Sequence, residues 1–158
     1  MDSTVRYGVS SPDQLRSMSG RAFLEAIAAG DLPQPPICQT IGFRLVEVGD
    51  GRAVFVGATG HHLMNPIGSI HGGFAATLLD SCMACAVQTI VQEGQVYTTL
   101  EIKVNMVRAL TAETGQVTAI GDVVHAGRRI ATSEGRLVDD DGKLYAHGTT
   151  TCLIMDAP

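Results

Sequence analysis

Hydrophobic and polar positions follow two different periods along the chain, and a long apolar segment divides them. From Gly72 to about Gln92, apolar residues surround a helix on all sides, which predicts that the helix is buried. Before it, Gly42 to Val48 and Arg52 to Ala58 alternate with the period of a strand, and a Gly-Asp-Gly turn joins them. Four further strand-like runs follow it: Val96 to Val107, Gly115 to His125, Arg129 to Val138 and Leu144 to Ile154.

The order of these elements is strand, strand, helix and four strands, which predicts the α+β class. A helix that is apolar on every side needs a sheet that wraps around it, and a second copy of the chain could cover the remainder. In the first strand after the helix, the alternation assigns the side chains to two faces. One face holds Thr98, Leu100, Ile102, Val104 and Met106, and the other holds Thr99, Glu101, Lys103, Asn105 and Val107.

Residues 1–38 lie outside this pattern and are expected to form an N-terminal helical extension with a Pro-rich linker. The main domain is then expected at residues 39–158. Ser11-Pro12-Asp13 is typical of a helix start, and Gly30 ends the helical stretch. Three closely spaced prolines predict a stiff, extended linker into the main domain: Pro33, Pro35 and Pro36.

Composition limits the classes of function. Of the 158 residues, 45% are hydrophobic and only 17% are charged, so part of the apolar surface is expected to lie against another subunit. The net charge of −5 at pH 7 argues against nucleic-acid binding, which needs a basic surface. No uninterrupted apolar stretch is long enough to span a membrane, and no secretory signal is recognisable, so a cytoplasmic location is expected.

Cys82 and Cys85 form a Cys-x-x-Cys pair, a spacing found in redox and metal sites. No second such pair and no histidine pair at ligand spacing accompanies it. Because both cysteines lie within the apolar helix, we interpret them as small hydrophobic core residues. His61 and His62 lie in the loop before the helix without a third ligand, so neither a metal site nor a redox cofactor is predicted.

Asp80 is the only charged residue between Gly72 and Gln92. Its neighbours on the same helix face are glycine, alanine, threonine, methionine and valine, and none of these can neutralise a carboxylate. An ionised acid in such surroundings is costly unless it meets a partner or a wet cleft. Asp80 is therefore a candidate functional residue, the alternative being a structural carboxylate that reaches a backbone amide or an arginine elsewhere.

The start of the same helix is the second candidate, because Asn65 and Gly68 precede it and His71, Gly72 and Gly73 lead into it. Backbone N–H groups at a helix N-terminus have no partner within the helix and carry the positive end of its dipole. Glycine lets a ligand approach them closely. Such donors can polarise a carbonyl oxygen, as in an oxyanion hole. A glycine-rich loop with a capping residue is the alternative interpretation.

Together, the motif Asn65-x2-Gly68-x2-His71-Gly72-Gly73-x6-Asp80 resembles the signature of the PaaI-like hotdog-fold thioesterases. Leu78-Leu79-Asp80-Ser81 and the run from Tyr97 to Asn105 are also similar to that group, and the resemblance extends from about Ile41 to Ile154. It implies a single hotdog fold, in which an antiparallel sheet wraps around one long central helix. It also implies acyl-CoA hydrolysis by a homodimer, with a homotetramer typical of the family and no cofactor beyond the coenzyme A of the substrate.

Gly72 and Asp80 are separated by eight positions, which is about 12 Å along a helix. One small reacting group cannot lie within hydrogen-bond reach of both. Either one of the two is not catalytic, or the second comes from a neighbouring chain. The resemblance implies the latter arrangement, in which each site takes residues from both subunits of the dimer.

The resemblance also implies roles for the residues of the motif. The Gly72 N–H would hold the thioester oxygen, with Gly73 beside it at the substrate, and His71 would shape the turn. Asp80 of the other subunit would attack the carbonyl carbon or activate a water that does so. Asn65 would orient that water or the acyl carbonyl.

Further residues are expected to support the reaction or contact the substrate. Thr99 would assist the water or the carboxylate, and Thr98 is the alternative if the assignment slips by one residue. Met83 and the strand at Thr98 are expected to form walls of the acyl pocket. Arg128 and Arg129 are candidates for contacts to the phosphates of coenzyme A, for which the arginine fork is suited; a solvated turn is the alternative.

Two other functions are weighed against hydrolysis. A hydratase or dehydratase of the same fold uses a histidine base with an acid close by, whereas here the acid follows His71 by nine positions. A non-enzymatic acyl-CoA sensor would be expected to lose the helix carboxylate, which Asp80 retains. The sequence leaves the acyl group open between aryl and medium-chain species.

Overall fold

Four α-helices, two single-turn 3-10 helices and six strands are present in the computed structural model, which describes residues 5–157. In this part of the chain, no helix has the length and apolar character needed to cross a membrane. The helices are α1 (Pro12–Arg16), α2 (Gly20–Ala29), α3 (Pro36–Ile41) and α4 (Gly72–Gln88). The strands are β1 (Phe43–Gly49), β2 (Arg52–Ala58), β3 (Gln95–Met106), β4 (Gln116–Ala126), β5 (Ile130–Asp139) and β6 (Leu144–Asp156).

The strands of residues 5–157 form one antiparallel sheet in the order β1-β2-β4-β5-β6-β3, so β1 and β3 are its edges. The sheet wraps around α4, and helix residues such as Leu78, Leu79 and Met83 have 0% exposed surface. The predicted order of two strands, one buried helix and four strands is confirmed. The architecture is that of a hotdog fold.

Helix α4 ends at Gln88, whereas the sequence pattern extended it to about Gln92. Thr89 stops it: the hydroxyl donates to the Ala86 carbonyl at 2.7 Å and accepts the Gly51 N–H at 2.9 Å. These two bonds fix the end of the helix to the β1–β2 turn. The sheet also leaves one stripe of the helix partly exposed, which consists of Gly73, Ala76, Thr77, Asp80, Ser81 and Cys85.

A row of glycines lets α4 lie directly on the sheet. Gly121, Gly135 and Gly148 are neighbours across β4, β5 and β6. A β-carbon added at Gly121 would overlap the backbone carbonyl of Cys82, and one at Gly135 would lie 2.7 Å from Cγ of Met83. We call these three residues the glycine row. Larger residues at Gly121 or Gly135 would push the helix away from the strands, whereas a β-carbon at Gly148 would lie 2.6 Å from the carbonyl oxygen of Lys103 in β3.

The N-terminal extension packs against the same core as the sheet. Leu24 and Ile27 of α2 and Cys38 of α3 are buried in the cluster that surrounds α4. The expected extended linker is wrong at its end, because Pro36 begins α3 instead of continuing an extended segment. Proline is well accommodated in the first turn of a helix, where its missing N–H is not needed.

Strand β3 contains a β-bulge that simple alternation did not predict. Thr99 pairs with Cys152 and Glu101 pairs with Thr151, so Leu100 is an extra residue without a partner in β6. Because side chains alternate with a period of two, one extra residue exchanges the faces of the strand on one side of it.

The bulge changes which residues of β3 face the helix. Those facing α4 are Tyr97, Thr99, Ile102, Val104 and Met106, whose partners in β6 are Ile154, Cys152, Thr150, Gly148 and Ala146. The predicted assignment of faces is therefore correct after the bulge and wrong before it. There Thr98 points away from the helix, and Leu100 at the bulge is 56% exposed.

The glycine row predicts that a glycine-to-alanine substitution destabilises the protein strongly beneath α4 and only weakly elsewhere in the sheet. Gly121→Ala is expected to lower the free energy of unfolding by roughly 1–3 kcal/mol, because overpacking against backbone atoms forces the helix to move. Gly49→Ala in β1 is the control, since its added β-carbon would meet only side-chain atoms of Arg52, at 3.4 Å or more. Denaturant unfolding of both variants checks this, and equal stabilities would contradict the tight seating of α4.

Candidate active site

Asp80 lies on the exposed stripe of α4, beside strand β3. The hydroxyl of Thr99 donates a hydrogen bond to Oδ1 of Asp80 at 3.2 Å. The second carboxylate oxygen, Oδ2, accepts no hydrogen bond from any residue in the range 5–157. The bulge at Leu100 produces this geometry, since it turns Thr99 rather than its neighbours toward the helix.

A cavity of about 410 Å³ opens at Asp80. Its walls come from the segment before and within α3, from β2, from α4 and from β3: Pro35, Ile37, Cys38, Phe55, Asp80, Ser81, Ala84, Cys85, Tyr97, Thr98 and Thr99. Asp80 is the only charged residue among these. Burial raises the pKa of its carboxyl group, and the hydrogen bond from Thr99 acts in the opposite direction with a smaller effect.

The thiols in this cavity are poor nucleophiles. Burial raises the pKa of Cys38 to about 12 and that of Cys85 to about 12, so both remain protonated near neutral pH. All four cysteines are free thiols. No group of three metal-ligating side chains occurs among residues 5–157. The carboxylate of Asp80 is therefore the reactive group that this cavity presents.

The start of α4 has its own cap. His71 is the N-cap residue, with extended φ and ψ of −61° and 133°, and its Nδ1 accepts the Gly73 N–H at 2.9 Å. A β-carbon at position 73 would lie 2.8 Å from that nitrogen, so glycine makes room for the ring. The Gly72 N–H donates to no acceptor within residues 5–157. One donor at the helix N-terminus is thus open to a ligand, and the next is occupied by the cap.

Asn65 builds the loop that leads into this cap. Its Oδ1 accepts the N–H groups of Ile67 and Ser69 at 3.0 and 3.3 Å, and its Nδ2 donates to Oγ of Ser69 at 2.8 Å. One hydrogen of the Nδ2 amide is left for another partner. Asn65 therefore fixes the loop, and it can donate only one further bond to a substrate or water.

A second cavity, of about 330 Å³, lies at the start of α4 and includes Asn65, His71, Gly72, Met106 and Arg108 in its lining. It shares no residue with the cavity at Asp80. Along the helix the two candidate groups are about 12 Å apart. One chain therefore does not bring Asp80 and the Gly72 N–H to the same reacting atom.

The remaining predicted residues fall into different places. Thr98 lines the Asp80 cavity but makes no bond to Asp80. Met83 does not reach this cavity: it has 0% exposure and packs on Gly135 of the glycine row, so the structure corrects the expectation of a pocket wall there. Arg128 and Arg129 are exposed at the β4–β5 turn and border neither of these two cavities.

Sequence reasoning missed several residues that line the two cavities. Ile37 and Cys38 reach the Asp80 cavity because α3 replaces the expected linker, and Tyr97 reaches it because the bulge reverses the face. Arg108, two residues beyond the end of β3, borders the cavity at Gly72. An arginine directly after a long strand was the available signal for a basic group near the helix start.

The part of the chain that carries Gly72, Asp80 and Thr99 is similar to a known protein family. A sequence model described as the thioesterase superfamily matches residues 67–146. The chain belongs to this superfamily. It is a thioester hydrolase, and the matched region contains Gly72, Asp80 and Thr99.

Individual relatives agree with this membership. 1,4-Dihydroxy-2-naphthoyl-CoA hydrolase from Listeria monocytogenes is 27% identical over 116 residues, which cover 73% of this chain and 93% of that protein. A variant of the phenylacetic acid degradation protein PaaI from Thermus thermophilus is 31% identical, with a TM-score of 0.67, and the match covers 75% of this chain and 97% of that one. A thioesterase from Haemophilus influenzae shares the fold, with a TM-score of 0.71 at 22% identity over 77% of this chain and 83% of that one.

The isolation of Asp80 predicts that removing its charge does not destabilise the protein. Since burial raises its pKa in the folded state, the folded chain binds more protons than the unfolded chain between the two pKa values, and stability falls as the pH rises through that window. We expect Asp80→Asn to be at least as stable as wild type at pH 7, with any gain vanishing at pH values below the unfolded pKa. Thermal unfolding across pH measures this.

The matched control is Asp122→Asn, which makes the same chemical change where the carboxylate bonds Arg52 at 2.7 Å. That variant is expected to lose a little stability. A clear loss of stability in Asp80→Asn at pH 7 would show that Asp80 has a structural partner.

Proposed function

We propose that this thioester hydrolase acts on acyl-CoA, releasing a free acid and coenzyme A, at a site formed by two subunits. The observation that carries the proposal is the state of Asp80, which lines a largely apolar cavity and whose Oδ2 is unpartnered within residues 5–157. The complementary donor, the Gly72 N–H, lies in the other cavity of the same chain. A neighbouring subunit would supply it.

The proposed chemistry uses Oδ2 of Asp80 in one of two ways. It attacks the thioester carbon, which expels the coenzyme A thiolate and leaves a mixed anhydride that water then hydrolyses. Alternatively, it takes a proton from a water that attacks the same carbon. In both routes the carbonyl oxygen gains negative charge, and the partner's Gly72 N–H stabilises that charge at the positive end of a helix.

Surface features of the chain support the dimer. Strand β3 is an open edge of the sheet, and its hydrophobic residues are unusually exposed: Leu100 at 56%, Ile102 at 38% and Met106 at 54%. The partly exposed stripe of α4 lies beside it. Pairing of two β3 edges would bury both features and bring two α4 helices together, and a pair of such dimers would give the tetramer expected from the family.

The cavity and the relatives support an acyl group of moderate size. Phe55 and Tyr97 are aromatic walls of the Asp80 cavity, and the Listeria relative is named as a hydrolase of an aryl-CoA. Arg108 borders the other cavity and offers a fork for a phosphate of coenzyme A, whereas Arg128 and Arg129 would reach the nucleotide only from another surface. No further cofactor is needed for transfer of an acyl group to water, and coenzyme A as the leaving group fits a cytoplasmic enzyme.

The hydrogen bond that caps α4 argues against the hydratase alternative. A histidine base needs a free ring nitrogen, but Nδ1 of His71 already accepts the Gly73 N–H, which leaves the proton of the neutral ring on Nε2. Neither nitrogen is then available as a base. An acyl-CoA sensor remains the competing function, and it predicts binding without turnover.

Thiol release from a panel of acyl-CoA thioesters tests the reaction. The panel contains aryl-acetyl, benzoyl, short-chain and medium-chain species, and the preferred one identifies the substrate class. Wild type is expected to hydrolyse at least one of them, and Asp80→Asn to lose about two orders of magnitude or more in kcat. Asp122→Asn is the control and should remain active. Binding without turnover by wild type would favour the sensor.

Mixing two inactive variants tests whether the site spans subunits. Gly72→Pro removes the N–H at the first helical position, where a proline ring is tolerated, and the extended His71 suits the residue before a proline. Its kcat is expected to fall about 10²- to 10³-fold. Equal amounts of Gly72→Pro and Asp80→Asn subunits, refolded together, should recover roughly a quarter of wild-type activity, because half of the dimers contain one intact site.

Gly72→Ala is the matched control for this experiment. It adds the same β-carbon beside Met106, which lies 2.7 Å away, but it keeps the N–H. It should therefore retain most of the activity. If the mixture recovers nothing while mixed dimers form, the two groups act within one chain and the proposed arrangement is wrong.

A further inference from the structure

Two buried hydroxyl groups lie side by side beneath α4. Within residues 5–157 the buried polar residues are Gln34, Thr89, Ser133 and Thr150. Ser133 and Thr150 are partners across β5 and β6 and are each 1% exposed. Ser133 donates to the Met83 carbonyl of α4 at 2.8 Å, and Thr150 donates to the Glu101 carbonyl of β3 at 2.8 Å. These bonds connect the sheet to the two elements that carry Asp80 and Thr99.

Thr150 acts at the bulge itself. Its acceptor is the carbonyl of Glu101, the residue that follows Leu100, and its own partner in the ladder is Ile102. A bulge interrupts the regular ladder and leaves backbone groups that need another partner. The hydroxyl of Thr150, a residue with only 1% exposure, supplies such a partner. A valine of the same shape would remove this bond.

The bulge decides which side chain faces Asp80. In a regular strand with Ile102 facing the helix, Leu100 and Thr98 would face it as well, as the alternation of the sequence predicts. With the bulge, Thr99 faces the helix instead and donates to Oδ1 of Asp80. Relaxation of the bulge would therefore replace a hydroxyl donor with an isobutyl group beside the carboxylate.

We propose that Thr150 is a positioning residue of the active site: its hydroxyl holds the bulge in β3 that turns Thr99 toward Asp80. The inference rests on the proposed role of Asp80 and extends it to a residue that does not line the Asp80 cavity. Thr150 acts through the backbone and through Thr99. Loss of the Thr150 hydroxyl would weaken the hydrogen bond from Thr99 to Asp80 but would leave the carboxylate in place.

The pH dependence of the reaction can show whether Thr150 acts on Asp80 through Thr99. The titratable groups around Asp80 are Tyr97 of β3, Cys85 of α4, Cys38 of α3 and Cys152 of β6. Burial raises the pKa of each of these four groups, so all are neutral between about pH 4 and pH 8. Among the groups that surround this carboxyl within one chain, only Asp80 itself can set an acidic limb of the pH profile, and the hydrogen bond from Thr99 lowers its pKa.

The test compares Thr150→Val with Thr150→Ser, using the best substrate of the thioester panel. We expect Thr150→Val to lower kcat about 10- to 100-fold, as small displacements of reacting groups do. KM should change little, and the acidic limb of kcat/KM should move to higher pH. Thr150→Ser keeps the donor and should restore both the rate and the pH profile. Should the valine variant fail to fold, Thr150→Cys has a similar volume with only a weak donor and serves in its place.

Thr149→Val is the matched control, because it makes the same change on the exposed face of the same strand. It should keep wild-type kcat and pH profile. The inference is overturned if folded Thr150→Val, or the cysteine variant in its place, retains wild-type kcat and pH profile, whatever its melting temperature. A failure of the proposed function looks different: wild type would hydrolyse no thioester, or Asp80→Asn would be as active as wild type.

Discussion

Helix α4 lies so close to the sheet that β4, β5 and β6 all carry glycine beneath it. At Gly121 no room exists even for a methyl group, since the carbonyl of Cys82 occupies that space. The helix is therefore held at one distance and one rotation, with Met83 directed into the sheet. Its opposite stripe is directed away from β4, β5 and β6, and this places Asp80 at the surface of the core, beside the edge strand β3, rather than inside it.

This placement gives Asp80 its chemical character. A carboxylate that is half buried, without a cation and with one hydroxyl donor, keeps one oxygen unoccupied and is raised in pKa. A more deeply buried carboxylate would need hydrogen-bond or ionic partners for both of its oxygens. A fully solvated carboxyl group would keep an ordinary pKa. The surrounding thiols and the phenol of Tyr97 remain neutral, so they shape the cavity without competing for the reaction.

Much of this fold could be predicted from the sequence because the signals are local. Periodicity identifies α4 and the strands, the turn residues identify the hairpins, and a single acid in an apolar helix identifies Asp80. The bulge could not be predicted, because it depends on a buried hydroxyl in β6, about 50 positions from β3 in the chain. Met83 was misplaced for a related reason: a helix that is apolar on all sides does not reveal which side meets the sheet.

The prolines of the N-terminal extension are a second case in which the local sequence does not determine the structure. Pro35 and Pro36 are compatible with an extended linker and with the first turn of a helix, and only the burial of Cys38 in the core selects the helix. That choice brings Ile37 to the cavity at Asp80. Part of the candidate site thus belongs to the segment that the sequence pattern had set apart from the main domain.

The two edges of the sheet are not equivalent. At β1, the side-chain amide of Gln34 imitates a neighbouring strand, since its Oε1 accepts the Leu45 N–H and its Nε2 donates to the Leu45 carbonyl, both at 3.1 Å. A sheet with two unpaired edge strands can pair with further chains indefinitely, whereas a sheet with one unpaired edge can form only a dimer through that edge. The amide of Gln34 therefore blocks the addition of a strand at Leu45 of β1, so that the pairing proposed at β3 would end with two chains instead of growing into a fibre.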